Sequence, residues 1–276
     1  MISVVILTYN EEVNLPGCLA SVAWCDDIVV FDSFSTDRTV EMAQTAGVRV
    51  VQQRFENYGT QREAARATVA YRYPWLLFLD ADERVDEALK QELLSLPSEP
   101  SPHAAYRMRR KDHFMGKWIR HSTLYPSWFT RLLWREKAHY EPRSVHEYPT
   151  VEGSTGNLRG HLIHFNFNKG LEDWLAKHNR YSSLEASEDV KSLASKPDSW
   201  RHLFTLDPTQ RRRALKELSF RLPFRPLLRF LYMYVLRGGF LDGSKGFTYC
   251  RLLYFYELMI VLKMQESEQK SRGLSV

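Results

Sequence analysis

Trp75-Leu76-Leu77-Phe78-Leu79-Asp80-Ala81-Asp82-Glu83 is the stretch on which the reading of this chain turns. Its first five residues form an unbroken apolar run, the pattern of a strand buried on both faces. The run then stops in carboxylates. Two carboxylates at i and i+2 after a strand can both turn toward one pocket as the chain leaves the sheet. Their hard oxygen atoms suit Mg²⁺ or Mn²⁺, and such an ion can bridge a diphosphate. The ion would then neutralise charge on a diphosphate leaving group, as a Lewis acid. The competing reading is a polar loop in which Asp82 caps the next helix.

Working outward, the same alternation recurs upstream. Ser3 to Thr8 is a short run rich in β-branched residues. Acidic Glu11 and Glu12 follow, in the place where a helix dipole favours negative charge, then Leu15, Leu19 and Val22 at helical spacing. Ile28 to Phe31 reads as a second strand ending at Asp32. Ser35, Thr36 and Asp37 are candidate caps for a helix through Ala46, which Gly47 ends. Val48 to Val51 reads as a third strand, Thr60 to Tyr71 as a helix, and a further helix runs to Leu94. This β-α-β-α-β-α-β order predicts an α/β protein with a parallel sheet and helices on both faces. Right-handed crossovers bring the strand C-termini to one edge, where such sheets bind ligands. Thr8, Asn10, Asp32, Asp80 and Asp82 are therefore expected to converge.

Ala104–Lys111, Trp128–Trp134 and Leu158–Phe165 read as further strands that extend and cover the sheet. Residues 171–195 read as helical, 197–208 as a linker with Pro197 and Pro208, and about 209–221, 224–236 and 247–265 as helices. The expected division is a domain over 1–205 and a basic helical extension over 206–276.

Composition narrows the classes. The chain has 276 residues, 44% of them hydrophobic, and a formal net charge of +5. With 26% charged residues and a mean hydropathy of −0.40 it fits neither a disordered chain nor a polytopic membrane protein. The charge is uneven. Residues 201–276 hold fourteen Lys or Arg against six Asp or Glu, a balance of +8, and the first 200 residues stand at −3. Cys18, Cys25 and Cys250 make neither a disulfide framework nor a zinc motif and fit reduced thiols in the cytoplasm. The opening run lacks the features of a signal peptide.

Neither Thr8-Tyr9-Asn10-Glu11-Glu12 nor Asp32-Ser33-Phe34-Ser35-Thr36-Asp37-Arg38-Thr39 carries a dinucleotide or P-loop glycine pattern. Short acidic and amide side chains there can instead hydrogen-bond a base and ribose. Arg62 and Arg131 are candidates for phosphate contact, since guanidinium matches phosphate geometry. His164, closing the run Leu162-Ile163, is a candidate for the metal or the diphosphate. His146 could orient a neighbouring carboxylate.

Together, Thr8-Tyr9-Asn10-Glu11, Asp32 with Ser35-Thr36-Asp37-Arg38-Thr39, and Asp80-Ala81-Asp82 resemble the family 2 glycosyltransferases. The resemblance covers residues 1–95 and implies the GT-A fold, a mixed sheet flanked by helices, and a nucleotide-diphosphate sugar as donor. It implies that Thr8, Glu11 and Asp32 hold base and ribose, that Asp80 lies near the ribose, and that Asp82 ligates the metal, with Asp80 and His164 as further candidate ligands. The family pattern carries Asp-Asp-Gly or Asp-Asn-Gly where this chain has Asp32-Ser33-Phe34. A closer resemblance, to the bacterial lipopolysaccharide-core β-glucosyltransferases, rests on Asp80-Ala81-Asp82-Glu83-Arg84, Gln61-Arg62, Val145-His146-Glu147 and Gly239-Phe240-Leu241-Asp242-Gly243. It extends over nearly the whole chain. Inversion needs a general base for the acceptor hydroxyl. Glu147 is the expected base, and Glu141 and Asp112 are the other candidates.

In the tail, Arg225 and Arg229 share a helical face. Around them lie Phe224, Leu227, Leu228, Phe230, Leu231, Tyr232 and Tyr234, with Arg211-Arg212-Arg213 upstream. This composition fits a helix lying in an anionic membrane interface. Packing on the catalytic domain or a homodimer contact ranks second, and no nucleic-acid partner is expected. The sequence thus reads as an inverting, metal-dependent hexosyltransferase, with Mg²⁺ or Mn²⁺. It would take a UDP-linked sugar to a lipid-linked or lipopolysaccharide-type acceptor at the inner face of the plasma membrane. The rivals are a sugar nucleotidyltransferase, whose usual Gly-rich basic loop is missing after the first strand, and a non-catalytic sugar-nucleotide-binding scaffold.

Overall fold

The structure, a computed structural model, describes residues 1–99, 102–141, 148–195 and 224–273, the side chains of 192–195 excepted. Two compact units emerge. The first comprises Met1–Trp118 and Leu124–Lys169, and the second Ile119–Thr123 and the chain from Gly170 onward. The expected boundary near 205 lies outside the described residues.

The first unit runs β1 (Ile2–Thr8), α1 (Leu15–Ser21), β2 (Ile28–Asp32), α2 (Thr39–Thr45), β3 (Arg49–Gln52), α3 (Tyr58–Thr68), β4 (Trp75–Asp80), β5 (Glu83–Val85), α4 (Glu87–Leu94), β6 (Ala105–Phe114), β7 (Lys117–Trp118), β8 (Ser127–Trp134), β9 (Ala138–Tyr140), β10 (Pro149–Val151) and β11 (Thr155–His164). The main sheet has the order β3-β2-β1-β4-β8-β6-β11-β5, with β7 paired to β6. The four strands from β3 to β4 are parallel. β8 runs antiparallel to both β4 and β6, and β5 antiparallel to β11. The mixed α/β sheet flanked by helices is as expected.

Several boundaries differ from the sequence reading. Asp82 caps no helix, because Glu83–Val85 first forms a short strand and Asp86 caps α4 through Leu89 N–H at 2.8 Å. Residue 38, not the expected Ser35, Thr36 or Asp37, precedes α2, and Asp37 instead accepts the Thr39 N–H at 3.0 Å. α3 opens on Asn57, whose side chain accepts from Thr60 N–H at 2.9 Å.

The core follows from the apolar runs. β1 is buried along its whole length, and its alternate side chains feed two clusters, one on each face. Val4 and Ile6 pack with Leu15, Leu77 and Leu89, while Val5 packs with Phe31, Ala65 and Phe78. Burying each such side chain contributes about 1.5–3 kcal/mol. This two-sided burial holds β1 between β2 and β4. The chain moves from β1 through β2 to β3 and then returns to β4 on the other side of β1. The order thus reverses between β1 and β4, and sheets of this kind bind ligands beside the carboxyl ends of the strands at such a point.

In the second unit, α5 (Gly170–Ser195), α6 (Arg225–Leu231) and α7 (Gly243–Ser271) pack together. α5 and α7 are antiparallel. Lys263 Nζ meets the Asn179 carbonyl at 2.6 Å and Ser182 at 2.7 Å, whereas Tyr256 meets Glu185 at 2.8 Å. Arg225 corrects an expectation. It is not presented outward but buried between Asp189 at 3.3 Å and Glu257 at 2.9 Å, because acids on α5 and α7 offset the cost of burying its charge. Arg211–Arg213 and the expected 209–221 helix lie outside the described residues. Among the described residues no helix is long and apolar enough to cross a membrane.

Candidate active site

Thr8 closes β1, Asp32 closes β2 and Asp80 closes β4. The parallel register sets Thr8 beside Asp32 and Leu7 beside Asp80. The Thr8 hydroxyl donates to Asp32 Oδ1 at 2.9 Å. Asp32 is fully buried and also accepts from Ser35 N–H at 2.9 Å, the Ser35 hydroxyl and Gln52 Nε2 at 3.0 Å. It therefore shapes the loop after β2.

That loop is stitched to the one after β1. Asn10 N–H donates to Ser35 Oγ at 2.8 Å, and Asn10 Oδ1 accepts from Thr36 N–H at 2.7 Å. Glu11 N–H donates to Thr39 Oγ1 at 2.7 Å. Both turns carry a residue in the left-handed region, Asn10 at φ 55° and Phe34 at φ 60°. Asn tolerates this conformation, but a phenylalanine there is strained. Phe34 stands where the family pattern has glycine, so the backbone keeps the glycine conformation without the glycine. Tyr9 and Phe34 are both exposed at this edge.

Lys169, which carried no sequence signal, reaches the same corner. Its Nζ donates to Glu11 Oε1 at 2.7 Å and to the Asn10 carbonyl at 2.9 Å. Burial raises the Glu11 pKa, and Lys169 and Asn14 only partly offset it.

Asp80 is the centre of a second group. Arg62 donates to its Oδ1 at 2.8 Å, and Arg131 to its Oδ2 at 2.5 Å. Burial would raise the Asp80 pKa, but Arg131 and Arg62 outweigh it and hold the carboxyl far below the usual range. Arg131 also meets Glu83 Oε1 at 2.9 Å, and Glu83 Oε2 accepts the Asp80 N–H at 3.1 Å. The strand register explains how Arg131 arrives. Tyr106 pairs with Leu132 and Arg107 with Thr130, so Arg131 is the extra residue of a bulge in β8. Bulges re-aim side chains in this way. Glu83, to which the sequence reading gave no role, is fully buried.

Asp82 turns elsewhere. Its Oδ2 lies 3.2 Å from His164 Nε2, and His164 Nδ1 lies 2.6 Å from Asp112 Oδ1. Asp112 is also paired with Arg110 at 3.0 Å. Burial and the Arg110 charge oppose protonation of His164, but Asp82 and Asp112 push its pKa up to about 9. Asp112 is held low. Burial would raise it, and Arg110 and His164 prevail.

Among the described residues no group of three or more His, Cys, Asp or Glu side chains is arranged to hold an ion. The donor chemistry of Asp82 and His164 nevertheless fits part of a divalent shell. A histidine ligand commonly donates its second ring N–H to a carboxylate, and Asp112 stands in that position. Asp80 has both oxygens on arginines. Glu147, with Arg143 and His146, lies outside the described residues.

The switch point of an α/β sheet, edged by Thr8, Asp32 and Asp80 at three strand ends, defines a class of sheet protein that binds a polar ligand at that edge. Residues 3–153 match Glycosyl transferase family 2, and the chain belongs to that family. It is similar to the lipopolysaccharide core biosynthesis glycosyltransferase LpsC of Rhizobium meliloti, at 28% identity over 96% of this chain and 92% of that protein. It is also similar to an uncharacterized glycosyltransferase of Rickettsia typhi, at 24% identity over 99% of this chain and 89% of that one. Among solved structures, S. aureus TarS in complex with UDP matches with a TM-score of 0.41 and 15% identity, over 99% of this chain and 91% of that one.

Proposed function

We propose that this glycosyltransferase moves a hexose, with inversion, from a UDP-linked sugar to a lipid-linked or lipopolysaccharide-type glycan. It would act at the inner face of the plasma membrane. The observation that carries the reading is the divergence of Asp80, which ends β4, and Asp82, just beyond it. Asp80 is neutralised by Arg62 and Arg131, while Asp82 turns to a histidine backed by Asp112. The name of the R. meliloti relative supports the acceptor class.

In this reading Thr8, Asn10, Glu11 and Asp32 frame the base and ribose, and Asp80, Arg62 and Arg131 wall the ribose and phosphate side. Asp82 and His164 would hold Mg²⁺ or Mn²⁺. Bound there, the ion would neutralise charge on the diphosphate. Glu147 takes the proton of the acceptor hydroxyl. The acceptor oxygen bonds to the anomeric carbon from the face opposite the leaving group, and the bond to the diphosphate breaks with its electron pair. Holding acceptor and donor in line supplies much of the rate.

A calorimetric panel of UDP-, GDP- and dTDP-linked sugars, with and without Mn²⁺, tests the reading. Binding of a UDP-hexose that strengthens with Mn²⁺ is expected, and the silence of every donor would overturn it. A finer test concerns Asp112. Asp112→Asn should leave the fold intact and weaken the dependence on Mn²⁺ by about 10–100-fold, since outer partners of metal ligands act at that level. An unchanged Mn²⁺ titration would remove Asp112 and His164 from this role.

A further inference from the structure

Among its described residues, the second unit presents an apolar face left exposed to solvent. Leu227, Leu228, Leu231, Tyr232, Val235 and Leu236 are all exposed, in pairs four residues apart along α6 and the turn that continues it. That continuation, Tyr232–Leu236, is a π-helical turn. Residues four apart stay in line through it, so the six side chains form one stripe. Wider turns of this kind are frequent at functional sites.

The stripe runs into a turn of unusual chemistry. Turns are ordinarily polar. Here Gly239–Asp242 is a 3-10 turn that exposes Phe240 at 51% and Leu241 at 61%. The turn is braced from within. Buried Asp242 accepts the His121 N–H at 2.8 Å and the Ser122 N–H at 2.7 Å. A Cβ on Gly246 would stand 2.4 Å from the Gly239 carbonyl, so the two backbones touch and only glycine fits. Fixing an exposed apolar turn in one conformation removes the ordering cost of whatever it docks to.

Charge identifies the occupant. From Phe224 to Arg251 there are five basic residues, Arg225, Arg229, Arg237, Lys245 and Arg251, and one acid, Asp242. That acid is buried and engaged with backbone. Arg225 is internal and Arg237 donates to the Thr123 carbonyl at 3.2 Å, which leaves half-buried Arg229 and Lys245 and exposed Arg251 as the charge around the stripe, all of it positive. The aromatic rings of Phe230, Tyr234 and Phe247 pack between stripe and turn, at 5.4–6.1 Å, with Arg251 over Phe247 at 5.5 Å. A second copy docked on this face would set positive charge against positive charge. An apolar interior under an anionic surface matches both features, and tyrosines are at home at that boundary.

We propose that this face docks on an anionic lipid bilayer, with Phe240 and Leu241 entering the acyl boundary and the α6 stripe lying along it. The proposal deepens the membrane-facing part of the proposed function and rests on it. It takes Arg225 out of the contact and adds the braced turn to the apolar residues along α6.

Co-sedimentation with phosphatidylcholine vesicles, with and without phosphatidylglycerol, tests it on the full chain. The intact protein should partition onto the phosphatidylglycerol vesicles. The double variant Phe240→Ser, Leu241→Ser should lose about tenfold or more of that partition, from the apolar area withdrawn, and Leu236→Glu should lose it likewise. Donor binding by calorimetry should be unchanged in both, which separates this proposal from the catalytic reading. Vesicle binding that survives both variants would overturn the assignment of this face. So would an intact protein that ignores both vesicles, or a dimer in sedimentation that the double variant splits.

Discussion

Arg131→Met should lower folding stability by about 3–5 kcal/mol, because it takes from the buried Glu83 carboxylate its nearest charged partner. Arg131 is 7% exposed and stands between Asp80 at 2.5 Å and Glu83 at 2.9 Å. Methionine fills the stem but carries no charge. Among the described residues, Glu83, fully buried, would keep only Arg110 at 3.8 Å as an ionic partner. Urea denaturation of the two proteins checks the value, and a loss below about 1 kcal/mol would place this arginine in the class of weak surface pairs. The pH dependence has a definite sign. Burial raises the Asp80 pKa and Arg131, then Arg62, lower it further, so the folded value lies below the ordinary one. Its contribution to stability is present above the unfolded pKa and is lost as pH falls toward the folded one. In Arg131→Met the folded pKa rises, and acid unfolding should begin at higher pH. Arg131→Lys should recover only part of the stability, because one ammonium does not reproduce the planar fork.

Glu147→Gln should reduce transfer by about 10²–10⁴-fold, the usual contribution of a positioned general base. Glutamine keeps the size and hydrogen bonding of the side chain and cannot take the proton. Donor affinity should stay unchanged, since the base acts on the acceptor. The described geometry speaks against Asp112 as the base, since it is held by His164 at 2.6 Å and Arg110 at 3.0 Å and kept at low pKa by them. A base whose proton affinity is suppressed in this way is poorly matched to a hydroxyl. Initial rates with saturating donor, beside calorimetric binding, separate the two effects. Near-full transfer by Glu147→Gln would sink the assignment.

The residues proposed for the donor side were legible for a simple reason. Thr8, Asp32 and Asp80 each end an apolar run, and a buried parallel strand announces its own C-terminus by the change from apolar to polar. Phe34 shows the reach of that legibility. The family glycine is absent, yet the backbone holds φ 60° there, because Asp32, Ser35 and Asn10 lock the loops around it. Glu83 shows where it stops. Nothing local distinguishes a loop glutamate from one drawn into a strand by pairing with His164.

The sequence by itself determined the alternation of strands and helices, the edge at which the carboxylates gather, and the family, because these rest on local periodicity and short motifs. Tertiary structure alone decided what each charged group faces. Asp112 and His164 meet because β6 and β11 pair in that register, although the residues are far apart in the chain. Arg131 reaches Asp80 because a bulge in β8 turns it inward. Arg225 shares a predicted face with Arg229 but is claimed by Asp189 and Glu257 from two other helices. Ion pairs of this kind form between distant segments, and a buried charge persists only where the fold brings its counter-charge.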